Sequence, residues 1–233
     1  MFNLSIKKSK IYYKPHISML QEDNIRTGFF ELGEFLALRE ALPEYLRPIV
    51  TFTFYTGWRK QEILSLKWNQ VDLQTKTVRL EPGTTKNKKG RTIVLEGELL
   101  EVIQRQWERR KVAEIPGQFP ALLCPYVFHH DGKAIRDFRA AWESACKATG
   151  LTGKLFHDFR RTAVRNMIRA GVSQTVAKKI SGHKTDAVFQ RYDITSEDDL
   201  REAARKTALH VETQKTTVTV VPLVTKMGHR GKG

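Results

Sequence analysis

Four short stretches of this 233-residue chain bring together side chains able to handle an anion. His157-Asp158-Phe159-Arg160 sets an imidazole and a guanidinium three positions apart. On a helix they share a face, and near the helix N-terminus free N–H groups and the macrodipole add to their pull on negative charge. In Thr56-Gly57-Trp58-Arg59-Lys60-Gln61-Glu62 an arginine follows a glycine break. Glu62 can hold that guanidinium while its other donors grip a phosphate. Ser181-Gly182-His183 places a histidine just past a helix-ending glycine, with Tyr192 further on. Lys86 stands in the basic turn TKNKKGR.

Each stretch also has a plainer reading. An HxxR pair is common on solvated helix faces, and Arg59 with Glu62 makes an ordinary surface ion pair worth a few tenths of a kcal/mol. A tyrosine after Val188-Phe189 suits a half-buried core position. A lysine-rich turn can simply be solvated.

The elements that must position these residues follow from periodicity. Glu31 to Leu42 carries Leu32, Phe35, Leu36 and Leu38 at helical spacing. Pro43 lies near the start of a second helix with Leu46, Ile49, Val50 and Phe54, ended by Gly57, and Arg59 to Leu66 forms a short third. The period then changes. Thr77–Leu80 and Arg91–Leu95 alternate and are β-branched, joined by the turn-rich EPGTTKNKKG, with a third strand expected near Val71–Leu73. Helices are predicted over 97–111, 134–149 (capped by Gly150), 157–170 (stopped by Gly171) and 173–181 (stopped by Gly182). A short helix carries Val188, Phe189 and Tyr192, and a polar one covers 196–211. Pro116, Pro120 and Pro125 interrupt the middle. The lysine-rich stretch 1–30 reads as an arm or linker remnant, 31–212 as the catalytic unit, and 213–233 as a basic mobile tail.

Forty Lys and Arg against 25 Asp and Glu give a net charge of +15 and a pI near 9.9. That surplus points to a polyanion partner, either nucleic acid or an anionic surface. Cys124 and Cys146 form no CxxC pair, which argues against a structural zinc or a disulfide framework. No apolar run approaches the roughly 20 residues of a membrane span, and no secretory signal opens the chain. A location in the cytoplasm, associated with the nucleoid, is expected. The sequence has no HExxH, no P-loop GxxxxGK[ST] and no clustered DxD carboxylates, whereas a two-metal nuclease would want several close carboxylates.

TGWRKQEIL, TKNKKGRTIVL, HDFRRT and SGHKTDAVFQRY, in this order, resemble the tyrosine recombinase or phage-integrase catalytic domain over approximately residues 30 to 200. The resemblance implies an α+β, mostly helical fold around a small antiparallel β-sheet. It makes Arg59 and Arg160 the paired arginines on the scissile phosphate, with His183 a third donor. Lys86 becomes the hairpin lysine and general acid, His157 the proton acceptor, and Tyr192 the nucleophile. Glu62 and Asp158 match supporting acidic positions. It further implies double-stranded DNA as substrate, a homo-oligomer (a tetramer) on that DNA, accessory directionality proteins, and no metal or nucleotide cofactor.

Two departures are local: Ser181 stands where many members have leucine, and Phe159 where leucine is frequent. A third concerns the front, where only about 30 residues precede the matching region and a separate core-binding domain is expected. Either a fragment or a shortened protein explains this, and half a clamp predicts weak, salt-sensitive DNA binding. A DNA-binding relic without productive recombination and a type IB topoisomerase-like activity are the alternatives.

Overall fold

The computed structural model describes residues 28–81, 90–113, 122–183, 189 and 197–217. Helix α1 (Leu32–Ala41) buries Phe35 and Leu38, and Glu34 closes its first turn by accepting from the Glu31 N–H at 2.8 Å. A single 3-10 turn, Glu44–Leu46, follows Pro43 and leads into α2 (Arg47–Thr56), with proline in its first turn. The apolar set expected for this helix, Leu46, Ile49, Val50 and Phe54, is buried. Gly57 ends it at φ 63°, and a β-carbon there would lie 3.1 Å from that of Ala163. The turn needs left-handed backbone and a bare α-carbon at once. Helix α3 (Lys60–Leu64) begins immediately after Arg59.

The change of period produces the expected sheet. Strands β1 (Val71–Asp72), β2 (Thr77–Leu80) and β3 (Arg91–Val94) pair antiparallel in the order β1-β2-β3. Val78 stands opposite Ile93 and both are buried, so one face of the sheet joins the core. Helix α4 (Gly97–Glu108) then packs Leu99, Val102 and Ile103 inward.

The middle of the chain differs from expectation. Two hairpins occupy it: β4 (Lys111–Ala113) with β5 (Leu122–Leu123), and β6 (His129–His130) with β7 (Lys133–Ala134). The helix predicted from 134 therefore starts only at Arg139, as α5 (Arg139–Ala148). Asp131 and Gly132 take positive φ and turn the chain back. Asp137 then accepts from the N–H groups of Phe138 and Arg139, at 2.9 and 3.2 Å, and opens the helix there. Ile135 and Phe138 are buried but precede it.

Helices α6 (Asp158–Arg169) and α7 (Gln174–Ser181) agree with their periodicity. The last, α8 (Glu197–Thr217), runs six residues beyond the expected end. The segment of Tyr192, the 82–89 turn with Lys86, the Pro116–Pro120 stretch, residues 1–27 and the tail from 218 lie outside the described residues. Among the described residues no helix is long and apolar enough to cross a membrane, and both cysteines are free thiols.

The core holds α6 by an aromatic cluster. Phe159 is fully buried; it stacks on Phe30 at 4.3 Å and meets Phe35, Phe54, Trp142 and Phe156 edge-on. Pairs of this kind add about 0.5–1.5 kcal/mol each beyond their buried area. Phe159 lies between His157 and Arg160 in sequence, so the ring in the core fixes the helix face that carries them.

Candidate active site

Arg160 is nearly inaccessible, with 2% of its surface exposed. Its Nη1 donates to the Gly57 carbonyl at 2.7 Å and to the Ser181 carbonyl, and its Nε donates to Nε2 of His183 at 3.0 Å. One guanidinium thus touches both helix-ending glycine turns. Each turn exposes a carbonyl because its αL residue stops the helix and leaves that oxygen without an intrahelical partner.

Arg59 stands at the mouth of the same site. Its Nη1 donates to Glu62 Oε1 at 3.0 Å, while Glu62 Oε2 accepts from the Arg59 N–H at 2.9 Å. A carboxylate that caps the helix start also aims the side chain of the residue before it. Glu62 is only 6% exposed whereas Arg59 keeps 26%, so the acid is internal scaffolding and the base reaches outward.

His183 closes the cluster. Its Nδ1 lies 2.7 Å from Ser181 Oγ, and its ring meets Phe189 edge-on at 5.6 Å. Burial, then the charges of Arg160, Arg59, His157 and Arg91, hold its pKa down to about 3. His157, the residue before α6, keeps an exposed surface but is partly desolvated by its neighbours. Burial first, then Arg160, lower its pKa too, against the opposing pull of Asp158. Both imidazoles are therefore neutral at pH 7.

Arg59, His157, Arg160 and His183, drawn from three separate motifs, accordingly form one electropositive cluster. Lys86 and Tyr192 lie outside the described residues, although Phe189, near Tyr192 in the chain, is 1% exposed and packs with Val164 and Ala177. Asp158 is buried and accepts the Leu155 N–H at 2.8 Å, which shapes the turn ahead of α6.

The sequence reading passed over Arg91. This arginine donates through Nη2 to Glu62 Oε2 and through Nη1 to the Ser181 carbonyl at 3.1 Å, and it covers the Trp58 ring at 4.7 Å. It ties β3 to both glycine turns. The available signal was parity: Arg91 alternates with Ile93 and Leu95, both buried, so its side chain had to point inward. Among the described residues no three His, Cys, Asp or Glu side chains gather as a metal site would require.

A sequence model of the phage integrase family matches residues 28–198. The chain belongs to the phage integrase family. The integrase of Salmonella phage P22 is 27% identical over 197 residues, covering 82% of this chain and 50% of that protein. The chain thus spans about half the length of that relative. Among solved structures, the Tn1549 transposon integrase in complex with transposon right end DNA superposes with a TM-score of 0.66 at 16% identity, covering 89% of this chain and 75% of its own. The catalytic domain of bacteriophage HP1 integrase gives 0.54 at 22%, covering 77% and 95% respectively. At these identities the two structures speak for the fold: this is the mostly helical phage integrase catalytic fold with small antiparallel sheets.

Proposed function

We propose that this chain carries the strand-cleaving and strand-joining unit of a site-specific tyrosine recombinase, within residues 31–212, acting on double-stranded DNA. The observation that carries the reading is the convergence of Arg59, His157, Arg160 and His183, from motifs spread over more than a hundred residues, into one cationic cluster. A phosphodiester repels nucleophiles, and in-line displacement builds charge on its non-bridging oxygens. Fixed guanidiniums at Arg59 and Arg160 supply preorganised donors for that charge.

In this reading the Tyr192 hydroxyl attacks the phosphorus. The Oη–P bond forms as the P–O5′ bond breaks, giving a 3′-phosphotyrosyl link and a free 5′ hydroxyl. A phenol has a reference pKa of about 10, so its proton must be taken up, and neutral His157 is the acceptor. Lys86 gives a proton to the leaving 5′ oxygen. Attack by another 5′ hydroxyl reverses the step on a new partner strand. The ester is retained throughout, so the chemistry requires neither nucleotide nor metal. Assembly as a homo-oligomer on DNA and dependence on accessory directionality proteins belong to the same proposal.

The test is a nicked suicide substrate in EDTA, resolved on denaturing gels. A covalent protein–DNA adduct is expected with the intact protein and not with Tyr192→Phe. Absence of adduct from the intact protein at every concentration sinks the reading.

A further inference from the structure

The Glu62 carboxylate carries one negative charge and serves two guanidiniums. Its Oε1 accepts from Arg59 Nη1 at 3.0 Å. Its Oε2 accepts from the Arg59 N–H at 2.9 Å and from Arg91 Nη2. Arg91 is fixed independently of the acid: its Nη1 donates to the Ser181 carbonyl at 3.1 Å, and its guanidinium lies over the Trp58 ring. Trp58 is pinned in turn by its indole N–H, which donates to the Ile180 carbonyl at 2.9 Å. The last torsion of a glutamate is broad, so its partners decide which way the carboxylate faces. Two donors on Oε2 leave Oε1 turned toward the Arg59 side chain.

Arg59 and Glu62 alone carry no net charge, and an arginine so neutralised offers little to a phosphate. With Arg91 added, two guanidiniums and one carboxylate leave a net charge of +1. An arginine facing an uncommitted carboxylate also tends to grip both oxygens through two parallel N–H bonds. Such a grip would fold the Arg59 fork inward onto Glu62. With Oε2 occupied, Arg59 uses Nη1 on the acid, and its side chain, 26% exposed, keeps Nε and Nη2 clear of Glu62. The like charges of Arg59 and Arg91 repel each other and push Arg59 the same way, toward the mouth of the site.

We propose that Arg91 is a positioning residue for strand cleavage: it takes up one oxygen and the charge of Glu62, so that Arg59 is left to serve the phosphate. With 8% of its side chain exposed, Arg91 acts through Glu62 and not on the substrate. The proposal rests on the recombinase reading for the phosphate, but not for the arrangement of the three side chains.

Single-turnover adduct formation on the nicked suicide substrate, followed against protein concentration, separates the saturating rate from DNA affinity. Arg91→Met is expected to lower the saturating rate about tenfold, less than loss of a direct donor to the reacting group. The half-saturating concentration is expected to stay within about twofold. A methylphosphonate at the scissile position lacks one negative oxygen and asks less of Arg59. On that substrate the gap between wild type and Arg91→Met is expected to narrow to about twofold, whereas a general folding defect would slow both substrates alike. Where Arg91→Met does not fold, Glu62→Gln with Arg91→Met takes its place, because it strands no charge and leaves Arg59 unneutralised. This double variant is expected to retain about a third or more of the wild-type rate. A crystal structure of Arg91→Met is expected to show Arg59 forked over both Glu62 oxygens. The proposal is overturned by an Arg91→Met rate close to wild type, by equal losses on the two substrates, by a double variant below about a tenth of the wild-type rate, or by Arg59 still held through Nη1 alone. Failure of the recombinase reading is separable: the wild type then forms no adduct, while the Arg59–Glu62 contact in the crystal still decides the arrangement.

Discussion

Arg91 and Glu62 form an almost entirely buried ion pair, with 8% and 6% of their side chains exposed, between the first residue of β3 and the middle of α3. The same carboxylate holds Arg59 through its other oxygen at 3.0 Å. A buried charge is tolerated only when its partner is present, so the pair joins the folding of the sheet to the geometry of the site. Burial draws the Arg91 pKa below the usual arginine range while Glu62 pulls it back up.

Glu62→Ala is therefore expected to destabilise the protein by about 3 kcal/mol, the lower end for removing one partner of a buried pair. Urea denaturation measures it. Replacing both members, as Glu62→Leu with Arg91→Met, is expected to cost clearly less than the two single changes summed, because no charge is left stranded. Additive losses would show that the pair does not act as a unit.

Gly182 separates strain from collision. Its φ is 72°, and a β-carbon there would fall 1.5 Å from Arg91 Nη1, an end held by the Ser181 carbonyl. Gly150 has the same φ of 72° with nothing within 4 Å. Gly150→Ala is expected to cost about 1 kcal/mol, the price of left-handed backbone for alanine. Gly182→Ala is expected to cost more and to displace Arg91 as well. Thermal melts of the two variants decide it, and equal losses would mean that Arg91 swings aside freely.

The pH dependence of stability has a definite sign. His183 and His157 bind protons less readily folded than unfolded, the first with its pKa lowered from 6.5 to about 3. His129 is lowered as well, by burial. Groups with depressed folded values contribute stability that is complete above the unfolded value and lost as pH falls toward the folded one. Stability is thus expected to decline from pH 6.5 downward. The carboxylates Glu34, Asp72 and Asp137, also lowered, add their share only below their ordinary values of 4.5 and 3.8. Chemical denaturation at pH 7 and pH 5 tests the histidine contribution, and His183→Gln is expected to shrink the difference. A protein equally stable at both values contradicts it.

Much of this was legible in the residues, and the failures have causes. Helical and strand periods located α1, α2, the three-stranded sheet, α6 and α7, because each buries one face, the first four against the main core and α7 against a smaller cluster of Val164, Ala177 and Phe189. The two short hairpins at 111–123 and 129–134 were not legible, since strands of two or three residues carry no measurable period. Their turn chemistry, Asp131-Gly132, was present but was absorbed into an apolar pattern that continued into α5. In the site, Arg59, His157, Arg160 and His183 were found by motif, which records spacing and type. Arg91 was missed because its importance lies in what it touches across 29 residues of chain, and touching is a property of the folded state. Phe159, noted only as a departure, is the centre of the aromatic cluster under α6.

If neutral His157 takes the tyrosine proton, adduct formation needs it unprotonated. Its pKa lies below the ordinary 6.5, lowered by burial and by Arg160. The rate is therefore expected to hold level from pH 8 to below 6.5 and to fall only in more acidic buffer, as the ring gains its proton. Single-turnover adduct formation on the suicide substrate, across a pH series at constant ionic strength, gives the profile. Arg161→Gln should move the acid limb upward, because that guanidinium is one of the charges that disfavour protonation of the ring. An acid limb at or above 6.5 in the wild type, or one that Arg161→Gln leaves in place, assigns the proton transfer to some group other than His157.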